Sequence, residues 1–265
     1  MLEAGIKEIL LLIGKRVILS NISFKLKNNC IHSILGLNGS GKTTLIRSLT
    51  CLLNPQFYSV TGNIFFEGKD ILTLNKNELH LLRKNRIKYV FQDAVNSFNQ
   101  LKIFGYYFEK LVKDKEEIDS LLSYFILPRY SELYKMFPYE VSGGMAQRIS
   151  LILALLAQPD IIILDEPTSG IDPGIANLFL LRLKEFVSRG NHSILLVTHD
   201  INFAANISNE IAFLSNTNLS KFRSNAELFL PLEFHTNVDP NQEQCTAINS
   251  ELFKKFIDAY KQLLL

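Results

Sequence analysis

Apolar and β-branched positions alternate from Val17 to Leu26, which predicts a strand that closes at the turn-forming pair Asn28-Asn29. Ile31 to Leu35 predicts a shorter strand running straight into Gly36. Helical spacing takes over from Thr43 to Leu53 and meets the breaker Asn54-Pro55. Asn63 to Glu67 reads as a strand, and Ile87 to Phe91 as a buried one. From about Ala94 to Tyr139 strand signals thin out and aromatics rise, and Lys115 to Leu127 has the spacing of an amphipathic helix ended by Pro128. This stretch predicts a helical insertion, about residues 94–145, within an α/β framework. Framework spacing returns with a helix from Gly144 to Ala157, a strand from Asp160 to Leu164, and a helix from Pro173 to Ser188 with Pro at its start. A buried strand, Ser193 to Thr198, and a helix near Ile201 to Asn206 follow. Two short strands, Glu210 to Leu214 and Leu219 to Arg223, are joined by turn residues. Residues 231–265 read as a polar connector and a last helix, Ser250 to Leu264. Strands alternating with helices imply a mainly parallel sheet covered on both faces.

The 265 residues suit one large α/β domain or two small ones. With 28 Lys+Arg against 26 Asp+Glu, the balance argues against bulk electrostatic binding to nucleic acid and leaves only a local basic patch as a route to it. A mean hydropathy of +0.12 prompts a search for a membrane span. The longest apolar run, Leu151 to Ala157, is far short of the about 20 residues a span needs. Ile9 to Ile13 is too short for the apolar region of a signal sequence and is followed by no small-residue cleavage site. Cys30, Cys51 and Cys245 lie far apart, which suits free or buried thiols in a reducing compartment.

Three segments carry chemistry. Gly36-Leu-Asn-Gly-Ser-Gly-Lys-Thr43 fits the phosphate-binding pattern G-x-x-x-x-G-K-[ST] between a strand and a helix. Its glycines let backbone N–H groups curl around phosphate oxygens, and the helix adds the positive end of its dipole. Lys42 is placed to reach the β- and γ-phosphates, and the Thr43 hydroxyl to ligate Mg²⁺. The strand ending Asp165-Glu166 delivers two carboxylates to the sheet edge where open parallel sheets bind ligands. Adjacent strand residues point opposite ways, so Asp165 can serve the Mg²⁺ shell while Glu166 orients water for attack on the γ-phosphate. Taken alone, such a pair is more often a solvated turn. Gln92 and His199 each follow a buried strand and reach the same edge. Ser142-Gly-Gly-Met145 opens a helix with a natural cap and two glycines that bare its backbone donors. Capping alone explains Ser142. A second anion cradle in one domain suggests a nucleotide held by another subunit.

The ordered set Gly36–Thr43, Gln92, Ser142–Met145, Ile161–Glu166, Ser169–Asp172 and His199 resembles the nucleotide-binding subunit of ABC transporters over residues from about 15 to 225. The resemblance implies a P-loop NTPase fold: a mainly parallel core sheet, an N-terminal antiparallel β region and an inserted helical subdomain. It divides the chain into an ATPase unit, 1–230, and a tail, 231–265. It implies ATP and Mg²⁺ as cofactors. Gly36, Leu37, Asn38, Gly39, Ser40, Gly41, Lys42, Thr43 and Thr44 would hold ATP, and Thr43, Gln92 and Asp165 the metal. Glu166, His199 and Gln92 would be catalytic. Ser142, Gly143, Gly144 and Met145 match the signature loop that acts on a partner's γ-phosphate, and Asp172 the acid of the D-loop. Val90-Phe-Gln-Asp-Ala-Val-Asn-Ser-Phe-Asn99 and Phe137-Pro-Tyr-Glu-Val-Ser-Gly-Gly-Met-Ala-Gln-Arg148 are similar to stretches of the oligopeptide and nickel importer ATPases.

That likeness implies an ATP hydrolase coupled to import of nickel, a metal chelate or small peptides. Its partners would be two transmembrane permease subunits, a second ATPase subunit and an extracytoplasmic solute-binding protein, with no nucleic acid. It would sit peripherally on the cytoplasmic face of the cell (inner) membrane. A soluble ABC-type ATPase acting on nucleic acid or ribosomes is the alternative, and it would show paired cassettes, long heptad arms or a basic surface. A fused exporter half requires transmembrane helices in the chain. Departures from the family pattern are Ile13, where an aromatic usually stacks on adenine, Gln100 in place of a proline, and Ser169-Gly-Ile-Asp172 at the D-loop.

Overall fold

The structure, a computed structural model, describes residues 1–111 and 114–229. The predicted helix Ser250 to Leu264 and Cys245 lie outside those residues. In chain order the first elements are β1 (Leu2–Leu11), β2 (Arg16–Lys25), β3 (Ile31–Gly36), α1 (Lys42–Ser48), β4 (Tyr58–Phe66), β5 (Lys69–Asp70), α2 (Lys76–Asn85) and β6 (Ile87–Val90). Four helices of the insertion follow: α3 (Ala94–Ser97), α4 (Phe104–Phe108), α5 (Lys115–Tyr124) and α6 (Tyr130–Leu133). The chain continues with α7 (Gly143–Leu156), β7 (Ile161–Asp165), α8 (Pro173–Ser188), β8 (Ser193–Thr198) and α9 (Ile201–Ile207). It closes with β9 (Glu210–Ser215), β10 (Asn218–Leu219), β11 (Arg223–Ser224) and α10 (Asn225–Phe229).

Two sheets result. The antiparallel one runs β2-β1-β4-β5, and the larger runs β10-β9-β3-β8-β7-β6, with β11 also paired to β9. Strands β3, β6, β7, β8 and β9 are mutually parallel, as the alternation with helices implied. The central strands are buried throughout, and their period of two divides two cores. Ile161, Ile163, Leu195 and Val197 pack with α1 and the antiparallel sheet, whereas Ile162, Leu164, Ile194 and Leu196 pack with α7, α8 and the insertion. The insertion is tied down by aromatic contacts, among them Phe125 edge-on to Phe179 of α8 at 5.4 Å between ring centroids. Burying such a side chain contributes roughly 1.5–3 kcal/mol. No helix among the described residues is long and apolar enough to cross a membrane.

Several predicted boundaries shift. The first helix ends at Ser48, before Asn54-Pro55, because Cys51 turns left-handed at φ 52°. The Leu52 N–H then bonds the Arg47 carbonyl and the Cys51 N–H the Ser48 carbonyl, which closes the helix end. The helix predicted to Leu127 stops at Tyr124 for the same reason, with Ile126 left-handed at φ 53°. Strand β4 begins five residues before the predicted Asn63. The predicted strand Leu219 to Arg223 is instead two two-residue strands. Strand β1 and helix α2 were not anticipated.

Candidate functional site

Strand β3 carries Gly36 to the C-terminal edge of the parallel strands, and the loop that follows returns into α1 at Lys42. Glycine is required at Gly36 by close approach: a Cβ there would stand 2.9 Å from the Leu214 carbonyl oxygen and 2.6 Å from Ser40 Oγ. Gly41, which precedes α1, has φ 98°, a conformation that favours glycine. The buried Lys42 ammonium donates to the Gly36 carbonyl at 2.8 Å and the Leu37 carbonyl at 3.1 Å. It also lies 3.3 Å from Glu166 Oε1.

The two carboxylates diverge as strand geometry demands. Asp165 Oδ1 accepts from Thr43 Oγ1 and Oδ2 from Tyr89 Oη, each at 3.0 Å. Burial pushes the Asp165 carboxyl above its ordinary value, and these two donors oppose the shift. Glu166 leaves the strand at φ 46°, which turns its side chain toward the end of β8. Its Oε2 accepts from Thr198 Oγ1 at 3.0 Å and the His199 N–H at 3.2 Å, and lies 2.9 Å from His199 Nδ1. A carboxylate acceptor selects the tautomer with the proton on Nδ1.

Lys42, Thr43, Glu166 and His199 border one hollow of about 510 Å³, lined also by Asn38, Gly39, Gly41, Thr44, Gln92 and Ser169 with Arg16 and Ile18, and Asp165 lies buried outside that lining. Oxygen donors from Thr43, Asp165 and Gln92 are the hard ligands Mg²⁺ takes, and the 3.0 Å separation of the first two fits one ion. Ile13 does not line the hollow. It is 66% exposed on a short turn, and Arg16 and Ile18 stand at the rim instead. Sequence reasoning missed Arg16, Ile18, Thr198 and Tyr89. None of the four left a local signal; Tyr89 meets Asp165 only because β6 pairs with β7.

Ser142 to Met145 lie outside this hollow, at the start of α7. Ser142 Oγ accepts the Met145 N–H at 3.2 Å and is the cap that its sequence predicts. Asp172 caps α8 in the same manner, accepting the Gly174 N–H at 2.8 Å, and is exposed.

At the opposite sheet edge, Cys30, His32 and Glu210 bring potential ligand atoms within 4.8 Å of one another. His32 Nδ1 is buried without a hydrogen-bond partner, and the other groups are engaged within the chain or held protonated. His32 Nε2 accepts the Lys27 N–H at 3.1 Å, Glu210 pairs with the Lys27 ammonium, and burial pushes the Cys30 thiol up to about 11. Cys30 and Cys51 are free thiols, as their spacing implied. Burial lowers the His32 imidazole from 6.5 to about 4. A lowered base favours the neutral ring in the folded state, so the stability it contributes is complete above about 6.5 and is lost as pH falls through about 4. The loss should reach about 3 kcal/mol. Urea unfolding at pH 7 and pH 4.5 should show it, and His32→Gln should flatten the difference. An unchanged difference in the variant assigns the acid sensitivity elsewhere.

Residues 19–169, more than half of the chain, match the family described as ABC transporter. The dipeptide transport ATP-binding protein DppD of Bacillus subtilis is 32% identical over 218 residues, covering 78% of this chain and 65% of that protein. The oligopeptide transport ATP-binding protein OppD of the same organism is 31% identical over 211 residues, covering 76% and 59%. The chain therefore spans less than two thirds of the length of these two relatives. A dimeric ATP-binding cassette solved in a post-hydrolysis state with ADP and Pi matches with a TM-score of 0.71 at 22% identity, covering 84% of this chain and 98% of that one. The likeness establishes the fold.

Proposed function

This chain belongs to the ABC transporter ATP-binding family, and from that premise we propose that it hydrolyses ATP between two cassettes to drive peptide import. One observation carries the reading: two anion cradles with different reasons for their glycines. Gly36 answers to its own chain, since a Cβ would collide with backbone. At Gly143 and Gly144 an added Cβ meets nothing within 4 Å, and neither has a φ that disfavours side chains. Alanine would fit both and is the better helix former. Their glycines answer to something outside the chain, and the phosphates of ATP held by a partner cassette suit a bare helix start.

The chemistry follows from the bonds in the hollow. Lys42 exchanges its two carbonyls and Glu166 for phosphate oxygens. That exchange frees Glu166 Oε1, while Thr198 and His199 hold Oε2, so the free oxygen can orient water. Thr43, Asp165 and Gln92 would hold Mg²⁺, which neutralises charge on the phosphates when bound.

The named relatives are ATP-binding proteins of dipeptide and oligopeptide transport, which favours peptide over nickel or another metal chelate. Two permease subunits, a second identical or paralogous cassette and an extracytoplasmic solute-binding protein would complete the system at the cytoplasmic face of the membrane. In this reading residues 1–230 form the ATPase unit, with 94–145 as its helical subdomain and 231–265 as a tail. The permease would dock in a hollow of about 540 Å³ whose lining includes Tyr89, Phe91, Phe98, Tyr107 and Leu111, with Lys84, Lys88 and Lys110 around it. Cells lacking this chain should lose uptake of radiolabelled di- and oligopeptides and retain that of nickel. Normal peptide uptake contradicts the substrate assignment. ATPase activity stimulated by RNA or ribosomes, and not by permeases, would favour the soluble alternative.

A further inference from the structure

Asp165 is held by a residue that no phosphate-binding pattern contains. Strand β6 ends the parallel sheet and pairs with β7 so that Tyr89 lies beside Ile163. Side chains two residues apart share a face, so Tyr89, Ile163 and Asp165 look the same way. Ile163 packs in the core that also contains Leu45 and Ile46 of α1, and Tyr89 packs against that core. A carboxylate beside α1 is thereby pinned from both sides, by Thr43 on Oδ1 and by the Tyr89 hydroxyl on Oδ2.

The phenol is itself fixed. Its ring lies tilted on Phe91 at 4.3 Å between centroids. One donor per oxygen sets the plane of a carboxylate, and removing one lets the group turn. We propose that Tyr89 is a positioning residue for metal binding, acting through Asp165. This rests on the ATPase reading of the same site.

Tyr89→Phe keeps the ring on Phe91 and removes only the hydroxyl. In the full chain loaded with a non-hydrolysable ATP analogue, Mn²⁺ affinity, read from the free-ion electron spin resonance signal, should fall about tenfold. Affinity for the metal-free nucleotide should be unchanged. On an Asp165→Asn background the same substitution should cost nothing further, because its route of action is gone. Unchanged Mn²⁺ affinity overturns the proposal. So does an equal loss on the Asp165→Asn background, which would mark a general structural effect, and this comparison also decides the case of a variant that folds less well. A parental protein that takes up nucleotide but no Mn²⁺ would instead sink the metal-dependent ATPase reading beneath it.

Discussion

Glu166→Gln should bind ATP as the parent does and hydrolyse it roughly a hundred- to ten-thousandfold more slowly. The amide is nearly isosteric and retains an oxygen that can accept from Thr198 Oγ1 and the His199 N–H, the donors now on Oε2. The Lys42 ammonium keeps both of its carbonyl partners, Gly36 and Leu37. The phosphate loop therefore stays assembled, and the substitution removes a charge and a proton acceptor at one oxygen. Steady-state phosphate release and equilibrium nucleotide titration separate the two effects. Turnover near the parental rate would take Glu166 out of the catalytic role.

Ser142→Arg should abolish hydrolysis while leaving nucleotide binding intact. Within its own chain Ser142 is only a cap, and losing that cap costs about 1 kcal/mol. Placing a cation at the positive end of a helix adds roughly 0.3–1 kcal/mol. Neither is enough to unfold a protein of this size, and neither reaches the hollow, whose lining excludes residues 142 to 145. A cap-only role thus predicts slightly earlier melting and parental turnover. The two-cassette reading predicts the same slightly earlier melting, since the cap is lost either way, but almost no turnover, because the arginine fills space that a partner must occupy.

The parts of the fold that were legible are those where one local signal dominates. The glycine loop, the capped start of α7, and the buried strands β7 and β8 each carry an unambiguous pattern. Strand β1 was hidden by its own far end. Leu2, Ala4 and Ile6 alternate with Glu3, Gly5 and Lys7, but a register shift between Ile9 and Leu10 breaks the period and leaves an apolar run. The early half of β4 was masked by Gly62, which has φ 115° and lies where a Cβ would stand 2.2 Å from the Gly5 carbonyl. Close strand approach demands glycine there, and glycine reads as a break. Helix α2 is short and mostly polar, and its reciprocal cap between Asn75 and Glu78 was the signal available. Helix ends at Cys51 and Ile126 could not be read, since neither residue type announces a left-handed turn.

The site divides along the same line. The phosphate loop and the paired carboxylates were each expected at one sheet edge, and the structure brings Lys42 beside Glu166 and Thr43 beside Asp165. Contacts between separate strands, Tyr89 to Asp165 and Thr198 to Glu166, depend on sheet order, which no local pattern encodes. Ile13 was placed by likeness alone, and it is exposed and absent from the lining of the hollow.

The central claim is that one chain holds half of each site. Light scattering of Glu166→Gln with and without ATP tests it most directly, since a slow-hydrolysing variant should accumulate the sandwiched form. The account predicts a mass twice the 30.2 kDa of the single chain in ATP, one chain without it, and one chain in ATP once Ser142→Arg is added. A single-chain mass in ATP, together with parental hydrolysis by Ser142→Arg at the same dilution, would contradict it.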